Sequence, residues 1–224
     1  MKKCFVLCST LGLLLGLVGQ VQAVSLADLF AGQSIQALDK VFSDFTLINE
    51  IPTDPLFNPN YALIDVTPLE GQALAPGIRF ETLGQLTAND LGLVDVNFQF
   101  LVTSLGGAIK GNSLEINEFF FSAPGGLISI EENVFDAVTG AQLASKKAEV
   151  DNLFGIFSLF DVQNFNPTNR LVVDNKILIR SDGNFVSLDG FEQRFSQVPE
   201  PSTFLLLGGG LVGMLLVRRR AKKG

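Results

Sequence analysis

Hydrophobic and polar residues alternate along most of the chain between residues 24 and 197. The clearest stretch is 93–105, where one face carries Val94, Val96, Phe98, Phe100 and Val102. The other face is polar except for Leu101. A period of two is typical of a strand with one buried face. This stretch is therefore predicted to be an antiparallel strand lying on a hydrophobic core.

Similar short patterns recur along the chain, and turn-forming residues separate them. They predict strands at 61–67, 77–83, 113–121, 127–135, 142–150, 153–162, 170–180 and 184–196. The predicted turns are Gly106-Gly107, Gly111-Asn112, Pro124-Gly125-Gly126, Thr139-Gly140, Asn166-Pro167, Asp174-Asn175 and Asp182-Gly183-Asn184. Because no long helical stretch could connect parallel strands, the pattern predicts an all-β fold. We expect an antiparallel β-sandwich, jelly-roll-like or immunoglobulin-like, with most of its core volume supplied by 20 phenylalanines.

The segment 25–45 has a mixed pattern. Ser25 is a good helix N-cap, and Asp28 stands three positions later, which favours a short helix there. Gly32 should end this helix. The apolar positions after Gly32 fit either a second helix or a strand, and the run of phenylalanines at 42–45 favours the strand. We therefore expect a short N-terminal helix followed by a strand.

The first 23 residues have the composition of a signal peptide. Two lysines at positions 2 and 3 precede an apolar run at 4–18, and a small-residue cleavage site ends at Ala23. We expect export through the Sec machinery and cleavage by signal peptidase between Ala23 and Val24. The only cysteines, Cys4 and Cys8, lie in the segment that is removed. An exported domain built from 24–197 would therefore have no disulfide.

The last 27 residues, 198–224, form a three-part tail. A rigid motif, Val198-Pro199-Glu200-Pro201-Ser202-Thr203, precedes the apolar segment 204–217 and the basic end 218–224. The two prolines keep the backbone extended and remove two amide donors. The apolar segment is predicted to be a transmembrane helix, although its 14 residues span only about 21 Å. Arg218, Arg219 and Arg220 can snorkel to the interface and hold the cytoplasmic side.

This tail resembles the PEP-CTERM sorting signal, the tag of exosortase substrates in bacteria with an outer membrane. The matching features are the Pro199-Glu200-Pro201 motif with its flanking residues, the glycine-containing apolar segment and the terminal basic cluster. The resemblance implies a precursor held transiently in the inner membrane. It also implies recognition by an exosortase near the motif, removal of the tail, and release to the cell surface or an extracellular matrix. An ordinary C-terminal anchor that is never cut is the alternative.

The middle region is strongly acidic. Residues 24–197 contain 22 acidic and nine basic residues, a net charge of −13. Such a surface argues against nucleic acid as a partner. Calcium is a candidate counterion, because Asp182-Gly183-Asn184, Asp174-Asn175 and Asp151-Asn152 could offer oxygen ligands from loops. The same residues are also ordinary turn formers, and no EF-hand spacing is present.

The composition speaks against an enzyme. The chain contains no histidine, which excludes Ser-His-Asp and Cys-His arrangements and histidine metal sites. A pair of carboxylates for glycoside hydrolysis remains open. The adjacent pair Glu131 and Glu132 would point to opposite faces of a strand. We expect no catalytic residues and no cofactor.

A carbohydrate-binding role has weak support in the composition. Sugar-binding surfaces usually present tryptophan or tyrosine, and this chain has no Trp and only Tyr61. The residues Phe119 and Phe121 are predicted to face the core, and Phe120 to face away. The sequence thus favours a structural or adhesive surface or matrix protein associated with exopolysaccharide or biofilm. A calcium- or glycan-binding module is the second hypothesis, and a secreted hydrolase with paired carboxylates the third.

Overall fold

The structure, a computed structural model, describes residues 22–53 and 57–198. These residues contain one short helix, α1 (Leu26–Phe30), one 3-10 turn and 13 strands. The strands are β1 (Val24–Ser25), β2 (Ile35–Ala37), β3 (Lys40–Pro52), β4 (Asp65–Leu69), β5 (Gly77–Asp90), β6 (Leu93–Ser104), β7 (Ile109–Phe121), β8 (Leu127–Asp136), β9 (Gln142–Asp151), β10 (Ile156–Ser158), β11 (Phe160–Thr168), β12 (Arg170–Arg180) and β13 (Asn184–Gln197).

The strands form two antiparallel sheets. The six-stranded sheet has the order β1-β4-β5-β13-β7-β11, and the seven-stranded sheet has the order β10-β9-β8-β12-β6-β3-β2. Their inner faces meet in a hydrophobic core, as in a β-sandwich. The predicted all-β antiparallel fold is confirmed at this level.

Phenylalanine rings from both sheets fill much of the core. Phe80 and Phe191 stack within the six-stranded sheet, with ring centroids 4.4 Å apart. Phe98 of the seven-stranded sheet meets Phe80 across the sandwich at 5.6 Å. Aromatic pairs of this kind stabilise a core beyond the area that they bury. Phenylalanine does not supply most of the core volume as predicted, however, because among the described residues only seven of the 34 buried apolar side chains are Phe and 23 are Leu, Ile or Val.

The alternating pattern of β6 is also confirmed, because Val94, Val96, Phe98, Phe100 and Val102 are all buried. At the N-terminus, α1 begins as predicted after Ser25, whose hydroxyl oxygen accepts the backbone N–H of Asp28 at 3.1 Å. The chain then enters β2 and β3, so the strand alternative for this segment is confirmed.

Two of the predicted strands are different in the structure. The stretch 61–67 starts with a 3-10 turn, Tyr61–Leu63, because the Asn60 side chain accepts the N–H of Ala62. The stretch 153–162 is divided between β10 and β11, which belong to different sheets. Its first residues form a turn, since the carboxylate of Asp151 accepts two backbone N–H groups, those of Leu153 and Phe154.

Three predicted turns are wrong, and the first, Gly111-Asn112, lies inside β7. Asp174-Asn175 lies inside β12, which is paired on both sides, with β6 and β8. Asn166-Pro167 lies inside β11, an edge strand of the six-stranded sheet. An edge strand tolerates proline because one of its sides makes no ladder hydrogen bonds. The β7–β11 pairing shifts register at this point, between Asn164 and Thr168.

The Thr139-Gly140 turn, which joins β8 to β9, is confirmed and is organised by Asp136. The carboxylate of Asp136 accepts the backbone N–H and the hydroxyl of Thr139, the hydroxyl of Thr168 and the N–H of Val138. These bonds favour the ionised carboxylate. The backbone bond from Thr139 first, and then the hydroxyl bonds, lower the pKa of Asp136 to about 2.

Within the described ranges, no helix has the length and the apolar character of a membrane span. The predicted signal peptide up to residue 21, the transmembrane helix at 204–217 and the basic end lie outside the described residues.

Candidate functional site

The first candidate feature is the junction between the sandwich and the tail. β13 ends at Gln197, whose N–H donates to the carbonyl of Leu74 at 3.0 Å. The N–H of Val198 donates to the carbonyl of Ala108 at 2.9 Å. The chain is therefore held to the domain up to the residue that directly precedes Pro199. No linker separates the last strand from the sorting motif.

The predicted processing residues are only partly described. Val198 lies at this junction, and Val24 begins β1, where it pairs with Val66 of β4. Ala23 directly precedes that strand and is exposed. The predicted residues Pro199, Glu200 and Pro201, and the retention residues Arg218, Arg219 and Arg220, lie outside the described residues.

The end of the sandwich at Val198 carries four exposed aliphatic side chains, one on each of four connections. They are Leu38 between β2 and β3, Leu74 between β4 and β5, Leu105 between β6 and β7, and Val138 between β8 and β9. Their exposed fractions run from 39% to 80%. At the opposite end, Leu91 in the turn between β5 and β6, and Leu153 and Phe154 in the turn after β9, are exposed to a similar degree. Apolar loop tips thus lie at both ends of the sandwich, and four of them lie at the end that holds the junction.

The second candidate feature is a polar cluster inside the sandwich. Its members are Asn112, Glu132, Lys146, Asn175 and Gln193, each at most 2% exposed. Three of them come from the seven-stranded sheet, where the register places Glu132 between Lys146 of β9 and Asn175 of β12. Asn112 of β7 and Gln193 of β13 reach in from the six-stranded sheet. The cluster therefore spans the space between the two sheets.

Glu132 is the centre of this cluster. Its Oε1 lies 2.8 Å from Nζ of Lys146 and also accepts a hydrogen bond from Nδ2 of Asn112. Its Oε2 accepts Nε2 of Gln193 at 2.6 Å. The Lys146 ammonium also donates to Oδ1 of Asn112, with an N–O distance of 2.6 Å. Lysine, carboxylate and amide thus form a closed triangle of contacts.

The surroundings make this triangle unusual. Both side chains of the Glu132–Lys146 pair have 0% relative exposure. A buried ion pair gives up the hydration of both charges, so it tends to contribute little net stability. Nearby, Nδ2 of Asn175 and Oε1 of Gln193 are buried with no hydrogen-bond partner. The cluster is thus a costly feature in a core that is otherwise mainly apolar.

This cluster was not predicted from the sequence. Gly111-Asn112 was predicted to be a turn, and this is wrong because both residues lie inside β7. A Cβ on Gly111 would lie 2.6 Å from Oδ1 of Asn164, so glycine is needed here for the close approach of β11. One signal was present in the pattern, since Lys146 alternates with the inward positions Ala144 and Ala148. The expectation for Glu131 and Glu132 is confirmed, because Glu131 is exposed and Glu132 is buried.

Two of the three segments considered for calcium meet at one loop, where the side-chain amides of Asn152 and Asn184 both donate to the carbonyl of Ala123. Asn175 belongs to the buried cluster, far along β12 from the loops. Asp182 accepts the N–H of Gly126 at 3.1 Å and pairs with Arg180 at 3.3 Å. Asp151 holds the turn that follows β9. Over 22–53 and 57–198, no group of three His, Cys, Asp or Glu side chains is placed to hold a metal ion.

The only tyrosine of the chain is not presented as a sugar platform. The Tyr61 hydroxyl donates to the carboxylate of Glu50, and the ring meets Phe30 edge to face at 5.4 Å. Burial, and after it the hydrogen bond that the hydroxyl donates to Glu50, raises the pKa of Tyr61. A small apolar cavity beside the ring has a volume of about 10 Å³. That is about the space of one water molecule.

One pair of surface carboxylates shares a cation. Arg79 contacts Glu118 through Nη2 at 2.5 Å and Glu81 through Nε at 3.4 Å. All three side chains lie on the outer face of the six-stranded sheet, where the register brings β5, β13 and β7 side by side. Both carboxylates thus contact the same guanidinium on the sheet surface. Phe120, nearby on β7, is exposed as predicted, whereas Phe119 and Phe121 pack against each other.

The fold and the junction define a class of protein, an all-β domain whose last strand runs directly into a C-terminal sorting segment. The family model of the PEP-CTERM protein-sorting motif matches residues 197–220, so the chain carries this motif. The motif implies an exported protein whose precursor is anchored in a membrane and processed by an exosortase. No curated protein matches the chain.

Several solved structures have regions similar to this chain. A tailspike protein of bacteriophage CBA120 is 13% identical with a TM-score of 0.30, over 67% of this chain and 19% of its own. A glycosylation-associated protein complex from Streptococcus agalactiae is 11% identical with a TM-score of 0.29, over 54% and 20%. The chain thus spans about a fifth of the length of these two. The mannan-recognising carbohydrate-binding module TmCBM27 is 9% identical with a TM-score of 0.31, over 70% and 100%. Likeness at this level carries no argument about function.

Proposed function

We propose that this chain is an exported, non-enzymatic protein of the cell surface or extracellular matrix, with a structural or adhesive role in association with exopolysaccharide or biofilm. Signal peptidase releases the domain at Ala23 after passage through the Sec machinery. The tail holds the precursor in the inner membrane until an exosortase removes it. The observation that carries this proposal is the sorting motif, which begins at the last residue of β13.

The position of the junction means that removal of the tail does not disturb the fold of the domain. The Pro-Glu-Pro residues of the motif directly follow Val198, which is still hydrogen-bonded to the sandwich. A cut within the motif therefore leaves every strand of the domain intact. The five residues 199–203 can span at most about 17 Å when fully extended. The loops around Val198 consequently lie close to the bilayer surface in the anchored precursor, and their apolar tips face lipid.

The processing can be tested by intact-mass analysis of the protein released from cells. The expected mass is that of a chain that begins at Val24 and ends between residues 198 and 202. In a strain without the exosortase, or in the Pro199→Ala, Pro201→Ala variant, the chain should stay in the membrane fraction with its tail. A released wild-type protein that keeps residues 218–224 would refute processing, and a domain found only in the cytosol would refute export.

The orientation on the membrane has its own test. The region after the predicted signal has no cysteine, so Leu105→Cys creates a single labelling site. A polarity-sensitive dye at this position in the full-length precursor, reconstituted in lipid vesicles, should emit at shorter wavelength than after tail cleavage. Leu91→Cys, at the opposite end and similarly exposed, is the matched control and should not change. Equal responses at both positions would contradict this orientation.

The structural or adhesive role is a separate part of the proposal. It is supported by Arg79, whose guanidinium contacts the two surface carboxylates Glu81 and Glu118. Adhesion of wild-type cells and of a strain without this chain to exopolysaccharide-coated surfaces would test it. Equal adhesion and equal biofilm mass in the two strains would refute that role while leaving export and processing intact.

A further inference from the structure

We propose that Lys146 and Asn112 become joined by an intramolecular isopeptide bond, formed without any other protein and with Glu132 as the proton carrier. The bond would link Nζ of Lys146 to Cγ of Asn112 and release ammonia. This inference concerns the interior of the sandwich and does not depend on the sorting function.

The geometry brings the reacting atoms together. Nζ of Lys146 is 2.6 Å from Oδ1 of Asn112. The carbonyl carbon is one bond of about 1.23 Å from that oxygen, so Nζ lies within about 3.8 Å of the carbon that it attacks. Held in this way, two groups can react as if at very high concentration, because the entropy of bringing them together is already lost in folding.

Glu132 contacts both nitrogens whose protons must move. Its Oε1 accepts from Nζ of Lys146 at 2.8 Å and from Nδ2 of Asn112. A single carboxylate oxygen therefore bridges the attacking nitrogen and the leaving nitrogen. That is the position of a general acid and base, because the same group can take a proton from one atom and give it to the other.

Burial prepares the lysine for attack. An ammonium group has no free electron pair, so it must lose a proton before it can act as a nucleophile. Both side chains of the Glu132–Lys146 pair have 0% relative exposure, so the pair gives up the hydration of both charges. Transfer of one proton from Nζ to the carboxylate gives a neutral amine beside a neutral acid. The enclosing strands also keep out water that could compete for the carbonyl carbon.

The atoms and charges balance without any co-reactant. The neutral Nζ attacks Cγ, a new C–N bond forms, and the carbonyl electron pair moves to Oδ1. Glu132 gives its proton to Nδ2 and takes a second proton from Nζ. The carbonyl is restored as the Cγ–Nδ2 bond breaks and ammonia leaves. Glu132 keeps one proton, so no unpaired charge is left inside the core.

The position of the bond suits an exported domain. Asn112 lies on β7 of the six-stranded sheet and Lys146 on β9 of the seven-stranded sheet, so the bond ties the two sheets together. Each strand is the neighbour of an edge strand, β11 or β10. The two cysteines of the chain precede the predicted signal cleavage site. A cross-link of this kind would therefore stabilise the fold covalently, as a disulfide does in other exported proteins.

Peptide mass mapping tests the proposal on the full-length chain purified from cells. The peptide backbone has no tryptic site between Lys110 and Lys146. Trypsin with a glutamate-specific protease should yield 111–115 joined to 133–147, uncut at Lys146 and lighter by one ammonia, about 17 Da, than the sum of the free peptides. Fragmentation should locate the link at Asn112 and Lys146. Free peptides 111–115 and 133–146 from folded wild-type protein would overturn the proposal.

Variants separate the roles of the residues. Lys146→Arg and Glu132→Gln should give only unlinked peptides. Lys147→Arg, which changes the exposed neighbour, should keep the link and serves as the matched control. A link that persists in Glu132→Gln at the wild-type yield would overturn the role of Glu132. The wild-type peptide map decides the bond itself even if a variant fails to fold.

Discussion

The isopeptide bond should make a measurable contribution to stability, and Glu132→Gln is the variant to measure it. Asn112 and Lys146 are 34 positions apart, so the bond closes a loop of about 35 residues. The chain-entropy relation for a covalent cross-link gives about 4 kcal/mol for a loop of this length at 25 °C. The wild type should therefore be more stable than Glu132→Gln by about this amount.

Denaturation by guanidinium chloride, followed by far-ultraviolet circular dichroism, is a suitable assay. With a slope of roughly 4 kcal/mol/M for a domain of this size, the midpoint of Glu132→Gln should fall by about 1 M. Its slope should also be steeper, because the unlinked chain exposes more surface when it unfolds. This change in slope separates loss of the cross-link from loss of a hydrogen bond in the folded state.

The exposed neighbour provides the control. Glu131→Gln should keep the wild-type midpoint and slope, because Glu131 points away from the core. If the denaturant slope of Glu132→Gln equals that of the wild type, the two unfolded chains are equally constrained. The loop-closure reasoning would then be refuted, whatever the size of the shift in midpoint.

Three further predictions concern other parts of the sandwich. Thr168→Val removes one hydrogen bond to Asp136, so it should raise the pKa of that carboxyl from about 2, as measured by NMR titration. In the wild type, the ionised Asp136 should stabilise the fold at pH values above its usual pKa, and this stabilisation should be lost as the pH falls towards 2. Burial lowers the pKa of Lys40 from 10.5, so the free energy of unfolding should rise as the pH increases through the lowered pKa towards 10.5, and Lys40→Met should remove this slope. Phe98→Ala should lower the free energy of unfolding by about 3–5 kcal/mol in denaturant titrations, whereas exposed Phe120→Ala should change it by less than about 0.5 kcal/mol. An unchanged pKa of Asp136 in Thr168→Val would contradict the first prediction, and a free energy of unfolding that does not rise with pH would contradict the second. Equal losses of stability in Phe98→Ala and Phe120→Ala would contradict the third.

Alternation along the chain was sufficient to predict most strands, because burial on one face of a strand has a period of two that any strand shows locally. The inward face of β6 and the capped helix α1 were predicted for this reason. The wrongly predicted turns contain residues that occur both in turns and inside strands. Asn175 is a good turn former, but it is also a polar side chain that can be buried when Gln193 donates to it, at 2.5 Å. Local sequence does not distinguish these uses.

What the sequence determined by itself is the presence of the sorting motif and the class of the fold. The sorting motif and the alternating pattern are contiguous, so each can be read without knowing what lies opposite in space. Only the tertiary structure decided that Asn112, Glu132 and Lys146 meet inside the sandwich. Their strands belong to two different sheets, and the pairing of faces across a core depends on the whole topology rather than on neighbours in the chain. The chemistry proposed for this cluster arises from that non-local contact.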